Sequence, residues 1–273
     1  MMRIATLLLL IFSVQGIYGQ LLVRGRVLDA ASAEGLSYVN IGIPGAGIGT
    51  VSRADGHFEL QIPDSFAHDS LKFSMVGYAP LTLYLPDMLQ RDEMPEIDMH
   101  PKVTQLDEIV ISPRDWKERI LGNRSESKNI IAGFASNDLG SEVGIRVRIR
   151  RSPTLIDAFN VSIAANHYDT LRFRINFYDL KDGMPHERIQ KKDIIVETDM
   201  KEGLLHIDLR EYHIVVYDDF FVSLEWIEDL GAEDGLYFSA GFLGSPIISR
   251  KTSQADWDKM SGVSLGFNVN VRY

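Results

Sequence analysis

Hydrophobic and polar residues alternate along most of this chain with a period of two, the spacing of a β-strand that buries one face. In the first third, Phe58, Leu60 and Ile62 alternate with polar neighbours, and other short segments repeat this pattern. Turn residues separate the segments, including three glycines within residues 45–49, as turns between strands require. The spacing predicts a β-sandwich of about seven strands over residues 20–100.

The same period continues in residues 141–273. Residues 171–177 and 263–273 alternate throughout, whereas 220–226 is mostly apolar, as a central strand is. About eight such strands predict a second sandwich of jelly-roll type. The alternative is a small eight-stranded outer-membrane β-barrel, because the chain ends on an aromatic strand residue, Tyr273. We favour the sandwich, since several strands alternate imperfectly and the loops lack aromatic girdles.

The first 19 residues have the pattern of a secretory signal peptide. Arg3 precedes an apolar run over residues 4–14, and Gly19 offers a small residue for cleavage. The run is too short for a transmembrane helix, which needs about 20 residues. We therefore predict export, with Gln20 near the start of the mature protein and no transmembrane helix.

Residues 101–140 have the polar composition of a partly ordered linker. Residues 112–115 (Ser-Pro-Arg-Asp) are typical of a helix start. Trp116, Ile120 and Leu121 would form one apolar stripe on a short helix that follows this start. The organisation predicted is therefore all-β, with two sandwiches joined by a helical or extended linker.

Composition restricts the classes of partner and site. The chain of 273 residues carries a formal net charge of -10, so it has no general electrostatic reason to bind nucleic acid. It contains 0 cysteines, which excludes disulfides, thiolate nucleophiles and cysteine metal sites.

Several turn and strand motifs occur in one order in the first domain. They are residues 25–29 (GRVLD), 35–41 (GLSYVNI), 49–50 (GT), 55–58 (DGHF) and 76–78 (VGY). This series resembles the carboxypeptidase regulatory-like domain, a transthyretin-like β-sandwich. The resemblance implies a non-catalytic module that accompanies other domains on exported bacterial proteins.

The connector adds a second, narrower resemblance. Residues 106–111 are similar to the segment that follows this domain in TonB-dependent outer-membrane receptors. The remaining ~160 residues are too few for their 22-stranded barrel. Receptor function is therefore not expected.

Two motifs suggest chemistry that their context does not support. Residues 262–266 (GVSLG) match a nucleophile elbow, but they lie in an alternating strand, and no His or acid follows. His206 and Asp208 share one face of a predicted strand, whereas His213 lies beyond a predicted turn at residues 210–212, so a third metal ligand is not indicated. We predict neither a metal site nor a cofactor.

A third candidate is a pair of carboxylates for glycoside hydrolysis, drawn from Glu225, Asp218 and Asp219. The ordinary alternative is that Glu225 pairs across strands with an arginine, from residues 146–150 or from Arg172 and Arg174. Because the alternative needs no cleft, we predict no catalytic residues.

The function predicted is that of a non-enzymatic, exported binding or structural protein of the bacterial cell envelope. Periplasm, cell surface and outer membrane are the candidate locations, and glycan is the leading ligand class. Sugar rings stack on aromatic side chains, so the candidate ligand-binding residues are Trp257, Tyr168 and Tyr237. Trp257, which has polar neighbours, has the alternative role of anchoring its loop. The alternative functions are an assembly partner of an outer-membrane complex and, third, a glycoside hydrolase.

Overall fold

A computed structural model describes residues 20–89, 94–102, 116–134, 136–231 and 235–273. Strands account for 55% of the structure and helices for 5%, which confirms the all-β prediction. The predicted signal peptide lies outside the described residues, so export stays a prediction.

Within residues 20–89 and 94–102, the N-terminal part contains seven strands, one short helix and one 3-10 turn. They are β1 (Gln20–Asp29), β2 (Asn40–Ile43), β3 (Ile48–Val51), β4 (His57–Pro63), the 3-10 turn (Asp64–Phe66), β5 (Ser70–Ser74), β6 (Leu81–Tyr84), α1 (Leu85–Leu89) and β7 (Glu96–Met99). The strands form two sheets, in the orders β4-β1-β7 and β3-β2-β5-β6. The seven-stranded sandwich predicted for this part is confirmed.

The alternating pattern explains the core of this sandwich. On β4, Phe58, Leu60 and Ile62 are buried, whereas Glu59 is exposed. Phe58 meets Phe73 of β5 edge to face, with ring centroids 5.7 Å apart. Each such side chain contributes roughly 1.5–3 kcal/mol through burial, so the strand pattern also accounts for the packing of the two sheets.

The described residues from 116 onward contain fifteen strands and one 3-10 turn. They are β8 (Glu118–Gly122), β9 (Ile131–Ala132), β10 (Glu142–Val147), β11 (Thr154–Asn166), β12 (Leu171–Lys181), β13 (Met184–Arg188), β14 (Ile194–Thr198), β15 (Gly203–Asp208), the 3-10 turn (Arg210–Tyr212), β16 (Ile214–Val216), β17 (Phe220–Trp226), β18 (Leu236–Phe242), β19 (Ile247–Arg250), β20 (Asp258–Met260), β21 (Val263–Leu265) and β22 (Phe267–Arg272).

These strands divide into a seven-stranded and an eight-stranded sheet. The first has the order β13-β12-β17-β10-β19-β20, with β14 beside β12. The second has the order β21-β18-β11-β22-β8, with β15 and β16 beside β11 and β9 beside β18. An aromatic-rich core lies between the sheets, and it includes Phe159, Phe173, Phe177, Phe220, Phe238 and Phe267. The predicted second sandwich is therefore confirmed.

The short helix expected in the linker is wrong where the structure describes it. Residues 118–122 form β8, which pairs with β22 at the edge of the eight-stranded sheet. Ile120 is exposed, whereas Leu121 packs into the core. A strand forms here because pairing with β22 supplies backbone hydrogen bonds along the segment. An isolated helix of this length would be only marginally stable. The expected helix start at 112–115 lies outside the described residues.

Strand β17 is buried on both faces, as its mostly apolar sequence predicts for a central strand. One set of side chains enters the core between the sheets: Phe220, Val222, Leu224 and Trp226. The other set, Phe221, Ser223 and Glu225, lies on the opposite face and is also buried. That face is covered partly by the N-terminal part of the chain, since Asn40 is hydrogen-bonded to Glu225.

The two parts meet where β2 and β3 approach the loop after β19. A Cβ atom added to Gly49 would lie 2.2 Å from the carbonyl oxygen of Ser253, so only glycine permits this approach. The backbone N–H of Gly45 donates to the carbonyl of Gln254 at 2.9 Å. The Gln254 side-chain amide donates to Ser74 Oγ at 2.8 Å. The interface is therefore closely packed and joined by hydrogen bonds.

Candidate functional site

A row of four charged side chains crosses the buried outer face of the seven-stranded sheet. The row runs over four adjacent strands in the order Arg174, Glu225, Glu142 and Arg250. Register explains it, because each residue lies directly opposite the next across neighbouring strands. Arg174 Nη1 lies 3.2 Å from Glu225 Oε2, and Arg250 Nη2 lies 2.6 Å from Glu142 Oε2. The cross-strand partner predicted for Glu225 is thus confirmed.

Asn40 of β2 completes this ionic row from the N-terminal part of the chain. Its side chain is fully buried, and its amide nitrogen donates to Glu225 and to Ser253 Oγ. Its carbonyl oxygen accepts from Arg174 at 3.0 Å and from Arg188 at 3.1 Å. One amide therefore serves both charges of the ion pair, and it ties the two parts together.

The charge state of Glu225 follows from its neighbours. Burial by itself raises the pKa of this carboxyl, but the guanidinium groups of Arg174, Arg188 and Arg250 outweigh burial and lower the pKa to about 2. The carboxylate is therefore ionised at neutral pH. Burial likewise raises the pKa of Tyr178, whose hydroxyl donates to Glu142 Oε2 at 3.2 Å.

Two glutamates lie close together in the ionic row, but they do not have the setting of a glycosidase. Asn176 Nδ2 donates to Glu142 Oε1 at 2.9 Å and to Glu225 Oε2 at 2.7 Å. Both glutamates are 0% exposed, so a sugar cannot reach them. An acid catalyst also needs a carboxyl that holds its proton near working pH, and the pKa of Glu225 is too low.

The other two acids of that hypothesis lie apart from the ionic row. Asp219 pairs with Arg146 at 2.6 Å and accepts the backbone N–H of Ile149 at 3.0 Å. Asp218 is exposed in the turn before β17. Glu225 and Asp219 therefore both form structural ion pairs, with Arg174 and Arg146 respectively.

The three aromatic candidates for ligand binding lie in different places. Trp257 is partly exposed after β19, with its ring 5.7 Å from Tyr178 and 5.3 Å from Phe221. Tyr168 is only 5% exposed, and its ring packs 5.5 Å from that of Trp226. Tyr237 is partly exposed on β18, in the other sheet.

These positions do not support the prediction that the three aromatic residues bind a ligand together. Tyr168 belongs to the core between the sheets, which leaves its ring no open face for a sugar. The packing of Trp257 favours the anchoring role that its loop position already suggested. The aromatic candidates therefore do not form one binding surface.

An open groove of about 840 Å³ lies on the eight-stranded sheet, where β8, β11, β15 and β22 contribute side chains. Five arginines line it: Arg119, Arg124, Arg150, Arg210 and Arg272. His206 and Asp208 also line it, so their predicted position on one strand face is confirmed. The sequence did not predict this groove, because residues 118–124 were assigned to a linker.

The remaining sequence motifs have plain structural roles. Ser264 of the GVSLG motif is buried in β21, a strand with no helix after it, so the motif is not a nucleophile elbow. His213 is exposed and follows the 3-10 turn in a left-handed conformation. Across the described ranges, no three His, Asp or Glu side chains are grouped as a metal ion requires.

In the part of the chain that the structure describes, no helix is long and apolar enough to cross a membrane. No curated protein matches the chain. Residues 23–111 match the model of one protein family, the CarboxypepD_reg-like domain. Such a domain is a non-catalytic, regulatory or structural Ig-like domain. The family match therefore identifies a CarboxypepD_reg-like domain at residues 23–111, the domain that the turn motifs of this part resemble.

Proposed function

We propose that this chain is an exported, non-enzymatic protein of the bacterial cell envelope that binds a glycan with its C-terminal sandwich. The observation that carries the proposal is the groove on the eight-stranded sheet, which is open and lined mainly by polar side chains. Glycans need such side chains for their hydroxyl groups. The N-terminal domain acts as a rigid support, docked through Asn40 and the glycine-lined interface.

A glycan array tests the binding half of this proposal. Purified residues 20–273 should retain at least one glycan, and substitutions in the groove should remove that retention without lowering the melting temperature. Failure to retain any glycan on a broad array would contradict the proposal.

Export is tested separately, in cells. The predicted signal peptide implies that the envelope form begins near Gln20. N-terminal sequencing of the protein recovered from envelope fractions measures this. An intact Met1 on that form would exclude cleavage.

A second candidate function, assembly with an outer-membrane complex, is favoured by an exposed apolar tip. The tip comprises Phe242, Leu243 and Met260, which are 68%, 97% and 62% exposed. Phe242 pairs with Val263 at the end of β18, which brings the tip close to the β20–β21 turn. Exposed apolar patches often mark protein interfaces.

Site-specific photo-crosslinking in the envelope tests this second function. A crosslinker at Leu243 should capture a discrete partner, whereas one at the comparably exposed Tyr217, 62% exposed, should not. Equal capture at both positions would assign the adducts to random contact.

A further inference from the structure

We infer that the groove selects acidic glycans, and that Arg119, Arg124 and Arg150 bind their carboxylate or sulfate groups. The inference deepens the proposed function and rests on it. It adds that the ligand is negatively charged and assigns the residues that bind its anionic groups.

The groove is positive in a protein that is otherwise acidic. Five arginines line it against three carboxylates, those of Glu118, Asp157 and Asp208, so the lining carries two excess positive charges with His206 neutral. The chain as a whole has a net charge of -10. A local excess of this sign attracts anions by focusing the field inside the groove.

Two of the five arginines are already neutralised by internal ion pairs. Arg272 binds both oxygens of Asp157, at 2.6 and 2.8 Å. Arg210 binds both oxygens of Asp208, and these hydrogen bonds hold the pKa of that carboxyl well below its usual range. These pairs line the groove, but their positive charges are compensated by carboxylates of the protein itself.

The other three arginines have no such partner among the described residues. Arg119 donates only to the backbone carbonyl of Glu118, at 2.8 Å, and no described carboxylate forms an ion pair with Arg124 or Arg150. All three residues are exposed. A guanidinium group presents a planar fork of N–H donors that matches carboxylate and sulfate oxygens. These three side chains are therefore available to an anionic ligand.

Neutral hydrogen-bonding groups lie in the same groove. Asn160 Nδ2 donates to Asn270 Oδ1 at 2.6 Å, and Asn160 Oδ1 lies 2.6 Å from His206 Nδ1. Both Asn270 and His206 line the groove, and the described residues leave the Asn270 amide nitrogen and His206 Nε2 without a hydrogen bond. Such groups suit the hydroxyls of a sugar.

Apolar contact is available beside the charges. Ile120 lines the groove and is 45% exposed. The guanidinium carbon of Arg272, another lining residue, lies 6.0 Å from the ring centroid of Trp116. A sugar presents an apolar C–H face as well as hydroxyls. The groove thus combines charged, amide and apolar groups from four strands and the adjoining loops. This combination favours an acidic glycan over an acidic peptide, because a peptide would rely on backbone pairing along one strand.

Calorimetric titration of purified residues 20–273 tests the inference. The probes are hexagalacturonate, its neutral methyl ester, a chondroitin sulfate hexasaccharide and hexaglutamate. We expect hexagalacturonate or the sulfated probe to bind at least tenfold more tightly than the methyl ester. Raising the ionic strength from about 0.05 to about 0.5 M should reduce that preference.

Three variants assign the effect to the groove. Arg124→Gln with Arg150→Gln should weaken acidic-glycan binding roughly 10- to 100-fold. Arg53→Gln with Lys191→Gln removes the same charge from exposed positions outside the groove lining and should change affinity less than about twofold. Glu118→Gln removes a groove carboxylate and should tighten binding, a result that a purely structural role of these residues would not produce.

The outcomes separate this inference from the proposed function. Equal affinity for the acidic probes and the methyl ester, or equal losses in the groove and control variants, would overturn the inference while leaving glycan binding intact. Tighter binding of hexaglutamate than of any glycan would assign the groove to acidic peptides and overturn it too. Absence of binding to every glycan would remove the proposed function and the inference together.

Discussion

At the scale of single residues, Asn40 joins the two parts of the molecule through its side chain. It contacts Glu225, Ser253, Arg174 and Arg188 through one buried amide. An unsatisfied buried polar group costs more than an average hydrogen bond contributes. Loss of this amide therefore affects every charge that it serves.

Replacement of Asn40 by alanine should lower the free energy of unfolding by about 1–3 kcal/mol, because Glu225 and Arg174 lose partners that water cannot replace in a closed interface. Chemical denaturation of the whole chain measures the loss. Asn129, which is exposed, gives the control Asn129→Ala, with an expected change within about 0.5 kcal/mol. Similar values for the two variants would show that the interface does not depend on Asn40.

Glu225 makes stability depend on pH in the acid range. Its folded pKa is about 2, below the usual 4.5, so the ionised carboxylate stabilises the fold above pH 4.5, and this contribution disappears as the pH falls toward 2. The shift corresponds to about 3 kcal/mol. Denaturation curves between pH 7 and pH 2 should show the loss in the natural protein.

Glu225→Gln should abolish that part of the acid loss and should cost about 3–5 kcal/mol at pH 7, since it leaves buried arginines with one carboxylate fewer. The control is Glu59→Gln, whose ion pair with Arg24 is exposed, so solvent screening should leave stability and its pH dependence nearly unchanged. If the pH profile of Glu225→Gln matched that of the natural protein, another group would be responsible.

At the scale of elements, the segment between β19 and β20 packs across the outer face of the seven-stranded sheet. Trp257 belongs to a cluster with Tyr178, Phe221 and Ile248. The guanidinium carbon of Arg250 lies 4.7 Å from its ring centroid, within the range of a cation–π contact. The same segment carries Ser253 and Gln254 to the N-terminal domain, so its anchor also positions the interface.

Trp257→Ala should therefore destabilise the protein by about 2 kcal/mol, through lost packing and the lost cation–π contact. Thermal denaturation measures the effect, and Tyr217→Ala, at a residue 62% exposed, is the matched aromatic control with little expected change. Glycan retention should be checked on the same samples. Lost retention with an unchanged melting temperature would make Trp257 a ligand-binding residue instead.

At the scale of the whole molecule, each part has its own hydrophobic core, while the ionic row and the loop after β19 join them. A complete strand set predicts independent folding of the first part. The shared buried charges predict that the whole chain is more stable than its parts. Fragments of the chain test both expectations.

A fragment of residues 20–102 should unfold cooperatively, because it contains all seven strands of its two sheets. Its melting temperature should be lower than that of the full chain, since Asn40 and Val51 lose their partners in the other part. Circular dichroism and proton NMR measure both properties. A disordered fragment would place the domain boundary elsewhere.

Local features of the sequence determined the strands and the family of the first sandwich. Alternation at Phe58, Leu60 and Ile62 and the turn glycines act over a few residues, so they are readable without a structure. A cross-strand arginine for Glu225 was also predictable, because opposite charges on neighbouring strands stabilise each other. Strand β8 was not, because a short edge segment takes its conformation from the strand it pairs with.

The tertiary structure alone decided the interface and the groove. Glu225 lies 185 positions from Asn40, and no local pattern encodes which buried charge meets which amide across that separation. The arginines of the groove likewise come from β8, from β22 and from the loop before β11. These segments become neighbours only through strand pairing. Local periodicity therefore determines which faces are buried, whereas the contacts between distant strands determine what the exposed faces can bind.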